Sequence, residues 1–410
     1  MKRTQLLREY IKMRFEAIQS DWESGKLTQS EAAQILGVCD RTFRRYLCKY
    51  ESEGMDGLTD QRIEQTSHLK APVDEIVRLE DLYRSRFMGW NVKHFYSFYK
   101  QTHTRSYTWV KTQLQNAKLV EKAPGKGKHR KKRERSPMVG MMIHQDGSTH
   151  EWVPGKHWDL IVTMDDATNE HYSMFFVEQE GTASSLRGVQ EVIESKGLFC
   201  SFYSDRGSHY WNTPEAGGKV DKINLTQFGR AMRALGIDMI AAYSPEARGR
   251  SERMFRTHQD RLVKELAKAG ITEMTAANRY LAESYQERFN NEFIVKAPTE
   301  GSAFVAHMGG DLRDILCEQF ERVVSKDNCV KFETLTLQIP ADSCRMHYVK
   351  AKVRVHRYLD RSLAIFHGPR KLGSYDLSGE FIGNCGKSAA KPGAQNGLRT
   401  PSFSHSERIA

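Results

Sequence analysis

The stretch WDLIVTMDDATNEHYSMFFV, residues 158–177, decides how the chain reads. Trp158 to Met164 and His171 to Val177 are apolar runs of strand length, rich in aromatic and β-branched residues. Between them Asp165-Asp166-Ala167-Thr168-Asn169 has turn chemistry, because Asp and Asn side chains bond readily to their own backbone. Two strands joined by a turn are predicted. Upstream, Met138 to Ile143 is a largely apolar run that leads into Asp146 and predicts a strand ending there. Downstream, Thr182 to Ser195 reads as helix, and Leu198 to Tyr203 as a strand that ends at Ser204-Asp205-Arg206-Gly207. Thr226 to Leu235 is helical, Ile237 to Ala242 is a strand, and Arg248 to Ala269 is a long helix.

The order β-β-β-α-β-α-β-α is that of an α/β RNase H-like domain, here spanning 138–305. On either side the pattern changes. Leu27-Thr28-Gln29-Ser30-Glu31 opens a helix that Thr28 or Ser30 can cap, with Glu31 placed for a capping box. Gly37 ends it, Val38 and Cys39 turn, and Asp40 is expected to cap a second helix with Phe43, Leu47 and Tyr50 on one stripe. A short helix, a glycine turn and a basic helix make a helix-turn-helix, assigned to 1–62. Arg41, Arg44, Arg45 and Lys49 lie off the apolar stripe and are free to face DNA. A second helical, helix-turn-helix-like unit is expected over 70–120, with Lys111 and Lys118 as phosphate contacts.

Residues 121–137 read as a linker. KAPGKGKHRKKRERSP carries eight Lys or Arg residues and cannot form a core, but Arg130, Lys131, Lys132 and Arg133 suit a DNA backbone. Two-fold alternation over 325–383 predicts a small C-terminal β-barrel, and 386–410 reads as a disordered tail. The multidomain chain is basic throughout, with a net charge of +11, which favours a polyanionic partner. Its seven scattered cysteines contain no CxxC pair, which argues against a disulfide framework or zinc ribbon. No run of about eighteen apolar residues predicts a membrane span. The opening MKRTQLLREY lacks the apolar stretch of a secretory leader, so a cytoplasmic, nucleoid-associated setting is expected.

Three acids stand out together: Asp146 after the first strand, Asp205 after the fourth, and Glu252 in the last helix. In an RNase H-like sheet the first and fourth strands are neighbours, so Asp146 and Asp205 come side by side and the final helix can bring Glu252 to them. Clustered carboxylates suit Mg²⁺ or Mn²⁺, and two such ions can activate an attacking oxygen and stabilise a leaving one. Singly each acid is an ordinary turn former or surface residue. Asp165 and Asp166 compete for the first position and Glu246, expected on a loop before the helix, for the last. Arg256 and Gln259 share a helical face with Glu252, and Arg206 and His209 follow Asp205, so all four are candidate substrate contacts.

With these motifs in view, the stretch from about Gly140 to Ala303 resembles the integrase catalytic core of insertion-sequence transposases and retroviral integrases, nearest to the ISNCY-type transposases. Gln145-Asp146, VTMDDATNEHYSMFF, YSDRG, and Ser244-Pro245 followed by Gly249 and Glu252 carry the likeness. The resemblance implies a D-D-E triad of Asp146, Asp205 and Glu252. It also implies cleavage at transposon ends, attack of the freed 3′-hydroxyl on target DNA, and assembly as a dimer or higher oligomer on terminal inverted repeats. The interval from Asp205 to Glu252 is longer than in retroviral integrases, with Trp211 to Asn224 as an apparent insertion, and no His-His-Cys-Cys module precedes the core. Two other functions compete: a DNA-binding regulator without catalysis, and a nuclease that cuts without joining.

Overall fold

The computed structural model describes residues 3–58, 71–122, 134–215, 218–243, 245–341, 343 and 345–383. Arg130, Lys131, Lys132 and Arg133 of the basic linker, and the expected C-terminal tail, lie outside the described residues. The chain forms two compact units, one of residues 1–88 with 104–121, the other of residues 89–103 with 122–410.

The first unit opens with α1 (Arg3–Glu23), α2 (Gln29–Leu36) and α3 (Asp40–Glu53). The capping box at the start of α2 forms, with Glu31 N donating to Thr28 Oγ1 at 3.3 Å and Thr28 N to Glu31 Oε2 at 2.8 Å. Gly37 ends α2 at φ 75°, a left-handed conformation that glycine adopts without penalty. The cap of α3 is Cys39 rather than the expected Asp40, which is the first helical residue. A carboxylate there still complements the positive end of the helix dipole. Phe15, Ile18, Ala32, Ala33, Phe43 and Leu47 form the core of the three helices. α4 (Val73–Arg86) and α6 (Tyr107–Asn116) complete the unit, joined by a two-pronged Arg105–Glu75 pair at 2.7 and 2.6 Å.

The helix between them, α5 (Val92–Tyr99), belongs to the second unit, so the segment read as a second helical module is divided. His94 is the reason. It is wholly buried, and its Nε2 lies 2.8 Å from Glu265 Oε1. Glu265 also accepts from Tyr280 and Arg288, each at 2.6 Å, while Lys268 Nζ stands 3.9 Å over the Phe98 ring.

The second unit is built on a five-stranded sheet of order β3-β2-β1-β4-β5. β1 (Met142–Val153), β2 (Lys156–Asp165) and β3 (His171–Val177) form an antiparallel meander, while β4 (Ser201–Ser204) runs parallel to β1 and β5 (Asp238–Ala241) parallel to β4. β1 runs well beyond the apolar stretch that announced it, so Asp146 lies within the strand instead of at its end. The polar run from His144 to Glu151 is held in the strand by its ladder to β2, whose residues are buried almost throughout.

α7 (Thr182–Lys196) and α8 (Gln227–Ala234) cover one face, burying Leu186, Val189, Val192, Phe228 and Met232 against Ile143 and Phe202. α9 (Pro245–Lys268), α10 (Met274–Tyr280) and, after one π-turn, α11 (Gln286–Phe293) cover the other, with Met254, Phe255, Leu262 and Phe289 against Trp158, Val162 and Phe176. α9 starts at Pro245, a residue whose fixed φ suits a first helical turn, so Glu246 lies inside that turn and not on a preceding loop.

A one-turn helix, α12 (Leu312–Ile315), leads into the C-terminal strands. β6 (Glu318–Val323), β9 (Lys352–Arg357), β10 (Leu363–His367), β11 (Arg370–Tyr375) and β12 (Phe381–Gly383) form one antiparallel sheet of order β12-β11-β10-β9-β6, and β7 (Cys329–Phe332) and β8 (Leu335–Gln338) a separate hairpin. The region is strand-rich as the alternation predicts, but the alternating run from Phe332 to Ile339 holds the turn and second strand of a hairpin, β6 begins before residue 325, and the expected barrel does not close. β6 and β12 are opposite edges, with no pairing between them among the described residues. The core lies instead between the sheet and the hairpin, where Val330 and Leu337 meet Val353, Val355 and Ile365.

Candidate active site

Register sets the first two acids. The parallel ladder of β1 and β4 pairs Met142 with Ser201, Ile143 with Phe202 and His144 with Tyr203. Asp146 and Asp205 each lie two residues beyond the last pair. The register therefore carries both toward the same height, Asp146 within β1 and Asp205 just past the end of β4. Both acids accept from the backbone just after them, Asp146 Oδ1 from Gly147 N at 3.1 Å and Asp205 Oδ1 from Gly207 N at 2.9 Å.

Three residues stand around this pair: Gln145, part of the Gln145-Asp146 motif, and Tyr210 and Glu180, which sequence reading did not single out. Tyr210 is buried; its hydroxyl donates to Gln145 Oε1 at 2.9 Å and lies 3.4 Å from Glu180 Oε1. Burial raises its pKa well above that of an ordinary phenol, helped by the charges of Glu180, Asp146 and Asp205. The phenol thus stays protonated and feels all three carboxylates. Glu180, on the loop before α7, lies 3.3 Å from His209 Nε2. It comes so close to β1 that a Cβ on Gly147 would stand 2.3 Å from its Oε2. Gln145 in turn donates to Thr163 Oγ1 at 2.8 Å and Ser185 O at 3.2 Å, in space left by Gly188. For Glu180 and Tyr210 the sequence signal was glycine at 147 and 188, and neither names its partner.

Asp165 and Asp166, the rivals for the first position, are committed elsewhere. Asp165 is fully buried and accepts from Gly140 N and Thr168 N, both at 2.9 Å. Asp166 accepts from His144 Nε2 at 2.6 Å and Ser136 N at 2.7 Å, and pairs with Arg250. Burial alone would raise its pKa. The His144 bond and charge, the Ser136 N–H and the Arg250 charge together hold it well below the carboxylate range. The Arg250 contact also ties the early turns of α9 to the β2–β3 turn.

Glu252 follows two residues later and is exposed, as is Arg256. Gln259, on the same helical face, donates to Ser148 Oγ at 3.1 Å, so this face of α9 meets β1 near Asp146. Carboxylate oxygens are the donors that a hard divalent ion requires. Among the described residues, however, no three His, Cys, Asp or Glu side chains are grouped closely enough to hold one ion. Asp146 and Asp205 are brought level, and Glu252 stands apart on α9.

In the first unit Arg41, Arg44, Arg45 and Lys49 are all exposed along α3, opposite buried Phe43 and Leu47. Lys111 is half-buried on α6, and Lys118 lies exposed beyond its end at φ 57°.

The chain matches the winged helix-turn-helix family over residues 21–75, which covers α2 and α3. It is 28% identical to y4bF of Sinorhizobium fredii, which bears the name of a transposase, over 83% of this chain and 75% of that one. It is likewise 28% identical to the transposase for insertion sequence IS1202 of Streptococcus pneumoniae, over 54% of this chain and 47% of that one. Among solved structures, the HTLV-2 integrase catalytic core in complex with magnesium overlaps 36% of this chain and 87% of its own, at 13% identity and a TM-score of 0.29.

Proposed function

We propose that the chain, which is similar to two insertion-sequence transposases, is a DDE-type transposase that binds its transposon ends through the N-terminal helices, cuts them, and joins the freed 3′-hydroxyl to target DNA. The observation that carries the catalytic part is the level register of Asp146 and Asp205 beyond the β1–β4 ladder. Two carboxylates held close together, one on β1 and one just past β4, repel each other and a DNA backbone alike unless cations lie between. Asp146 and Asp205 would hold the divalent ions, Mg²⁺ or Mn²⁺, with Glu252 of α9 as the third carboxylate.

When bound, two such ions polarise the phosphodiester and favour both the attacking and the leaving oxygen. The chain's own residues do the positioning. Gly147 N and Gly207 N orient the two Asp carboxylates. Gln145 and Tyr210 brace the floor beneath them, and Arg256 and Gln259 face the substrate strand. The exposed cations of α3 supply base and phosphate contacts at the ends, and the basic linker adds backbone affinity. Both DNA ends must be held at once, so a dimer or larger assembly on DNA is part of the proposal.

A strand-transfer assay tests it. The full chain is mixed with labelled duplex carrying the ends that flank its gene, plus a plasmid target, with Mg²⁺ or with EDTA. The expected result is metal-dependent joined product that is lost in Asp146→Asn, Asp205→Asn and Glu252→Gln, each by a factor of 10² or more. Cutting without joining assigns the chain to the nucleases. Tight end binding with no chemistry under either metal assigns it to the regulators.

A further inference from the structure

Where α8 meets the C-terminal sheet, three cations surround a buried histidine whose ring nitrogens bond to nothing. We propose that this cluster, Arg230, Arg354, His356 and Lys371, binds a small phosphate with three or more free oxygens: inorganic phosphate or a terminal phosphomonoester. None of its residues belongs to the candidate active site, and the inference does not depend on the function proposed above.

The sheet places the cluster. Arg354 on β9 is level with Phe366 on β10, and Phe366 with Lys371 on β11. Gln319, His356 and Ala364 form the next row. Alternation along β9 sends Val353 and Val355 into the core beneath the hairpin, and Arg354 and His356 to the opposite face. There Cys317, Tyr358, Ala364 and Phe366 make a small core of their own. His356 is 3% exposed, and its ring stacks on Phe366 with centroids 4.1 Å apart. Lys371 Nζ stands 5.8 Å over the same Phe366 ring. α8 is fastened alongside: Gln227 exchanges two hydrogen bonds with the Gln319 backbone at 2.8 and 2.9 Å, and Arg230 donates to Ile315 O at 3.0 Å and Cys317 O at 2.5 Å.

Both ring nitrogens of His356 are buried with no hydrogen-bond partner, a condition that buried polar groups rarely tolerate. The cations around it also lack a counter-charge. Arg354 donates to Gln319 Oε1 at 3.3 Å and Gly368 O at 3.0 Å, Arg230 donates to carbonyl oxygens, and neither they nor Lys371 form an ion pair among the described residues. Glu321, the cross-strand neighbour of Arg354, is exposed and makes no ion pair with it. Burial, and then the charges of Arg354, Arg230 and Lys371, lower the His356 pKa to about 3. The ring is therefore neutral and carries one N–H. An oxyanion would accept that N–H and neutralise the cations that repel one another across it.

Shape selects among anions. A carboxylate is satisfied by one arginine fork, whereas here donors arrive from α8, β9 and β11 above a buried N–H, which suits a tetrahedral group. A backbone phosphate of DNA carries a sugar on either side, and a ring 3% exposed lies too deep for a strand to reach. A small anion can enter past Arg354, which is exposed, while Arg230 and Lys371 are half-buried. Bound there, it would bridge α8 to β9 and β11 and tighten the C-terminal sheet on the core.

The test titrates the full chain with inorganic phosphate at constant ionic strength, read by thermal melts and by the phosphorus NMR line width. The melting midpoint should rise and saturate, the phosphate line should broaden, and acetate should do neither. Arg354→Gln and Lys371→Gln, whose side chains reach solvent, should fold normally and each weaken affinity about tenfold. His356→Phe, which keeps an aromatic stack on Phe366, should do the same. No saturable response in the wild type overturns the site, as does unchanged affinity in Arg354→Gln and Lys371→Gln, or an equal response to acetate. Two DNA arms separate the sources. Displacement of phosphate by a 5′-phosphorylated duplex, but not by the same duplex without it, supports the site and names a terminal phosphate as its source. Equal displacement by both duplexes assigns the cluster to the DNA backbone and overturns the proposal.

Discussion

Gly188 shows how much of the site depends on single atoms. A Cβ there would lie 2.1 Å from Gln145 Nε2 and 2.7 Å from Thr163 Oγ1. Gly188→Ala should therefore cost about 1–3 kcal/mol despite alanine's better helix propensity, read as a lower denaturation midpoint. Gly147→Ala pushes on Glu180 in the same way. It should lower end cutting about tenfold while leaving end binding within twofold, which gel shift and cleavage on one sample would separate.

Two buried histidines set a pH limit. His171 Nδ1 bonds Asn169 O at 2.9 Å, so it carries the proton, and its Nε2 accepts from His258 Nε2 at 3.1 Å. His258 Nδ1 then accepts from the Tyr285 hydroxyl at 3.0 Å. Burial pushes the pKa of His171 down to about 4 from 6.5 and that of His258 well below 6.5. Both are neutral when folded, and the unfolded chain takes up their protons first. Stability is then full above about pH 6.5 and falls as pH drops toward 4, by roughly 3 kcal/mol from His171 alone. Thermal melts from pH 7.5 to 4.5 should show the loss, and His171→Phe should flatten it. At this scale the sequence was partly legible. Asp165 and Asp166 announced themselves as turn residues, but Glu180 meets Gly147 and Tyr210, and Tyr210 meets Gln145, across 30 or more residues, which no local pattern encodes.

At the scale of elements, caps and periodicity carried most of the reading. Thr28 with Glu31 started α2, and the apolar runs gave β2 and β3. Where the reading departed from the structure, the deciding partner was remote. β1 extends through a polar run because β2 pairs with it, and the C-terminal sheet stays open because closure depends on edge pairing. α5 looks like a neighbour of α4 and α6, yet its buried His94 answers Glu265, 171 positions along the chain. Glu265→Ala should release this helix. It leaves His94, Tyr280 and Arg288 without their shared acceptor, at a cost of about 3 kcal/mol, and hydrogen exchange over residues 92–99 should speed up well before that of β2.

For the whole molecule, charge and the two units set the expectations. With a net charge of +11 and four exposed cations on α3, log affinity for end DNA should fall linearly with log salt. Arg44→Ala or Arg45→Ala should each shallow that slope by about one where the side chain meets a phosphate. A residue reading bases would instead change the preferred end sequence.

The path of the chain has one more consequence. It runs through the first unit to Met88, lays α5 in the second, returns at Thr104, and leaves again after Glu121. Three covalent crossings join the first unit to the second. Such a protein cannot inherit a new specificity by trading its front end at one splice point. Any exchange of the first unit must carry α5 along with an α9 surface that fits it, so the two units are constrained to evolve as a matched pair.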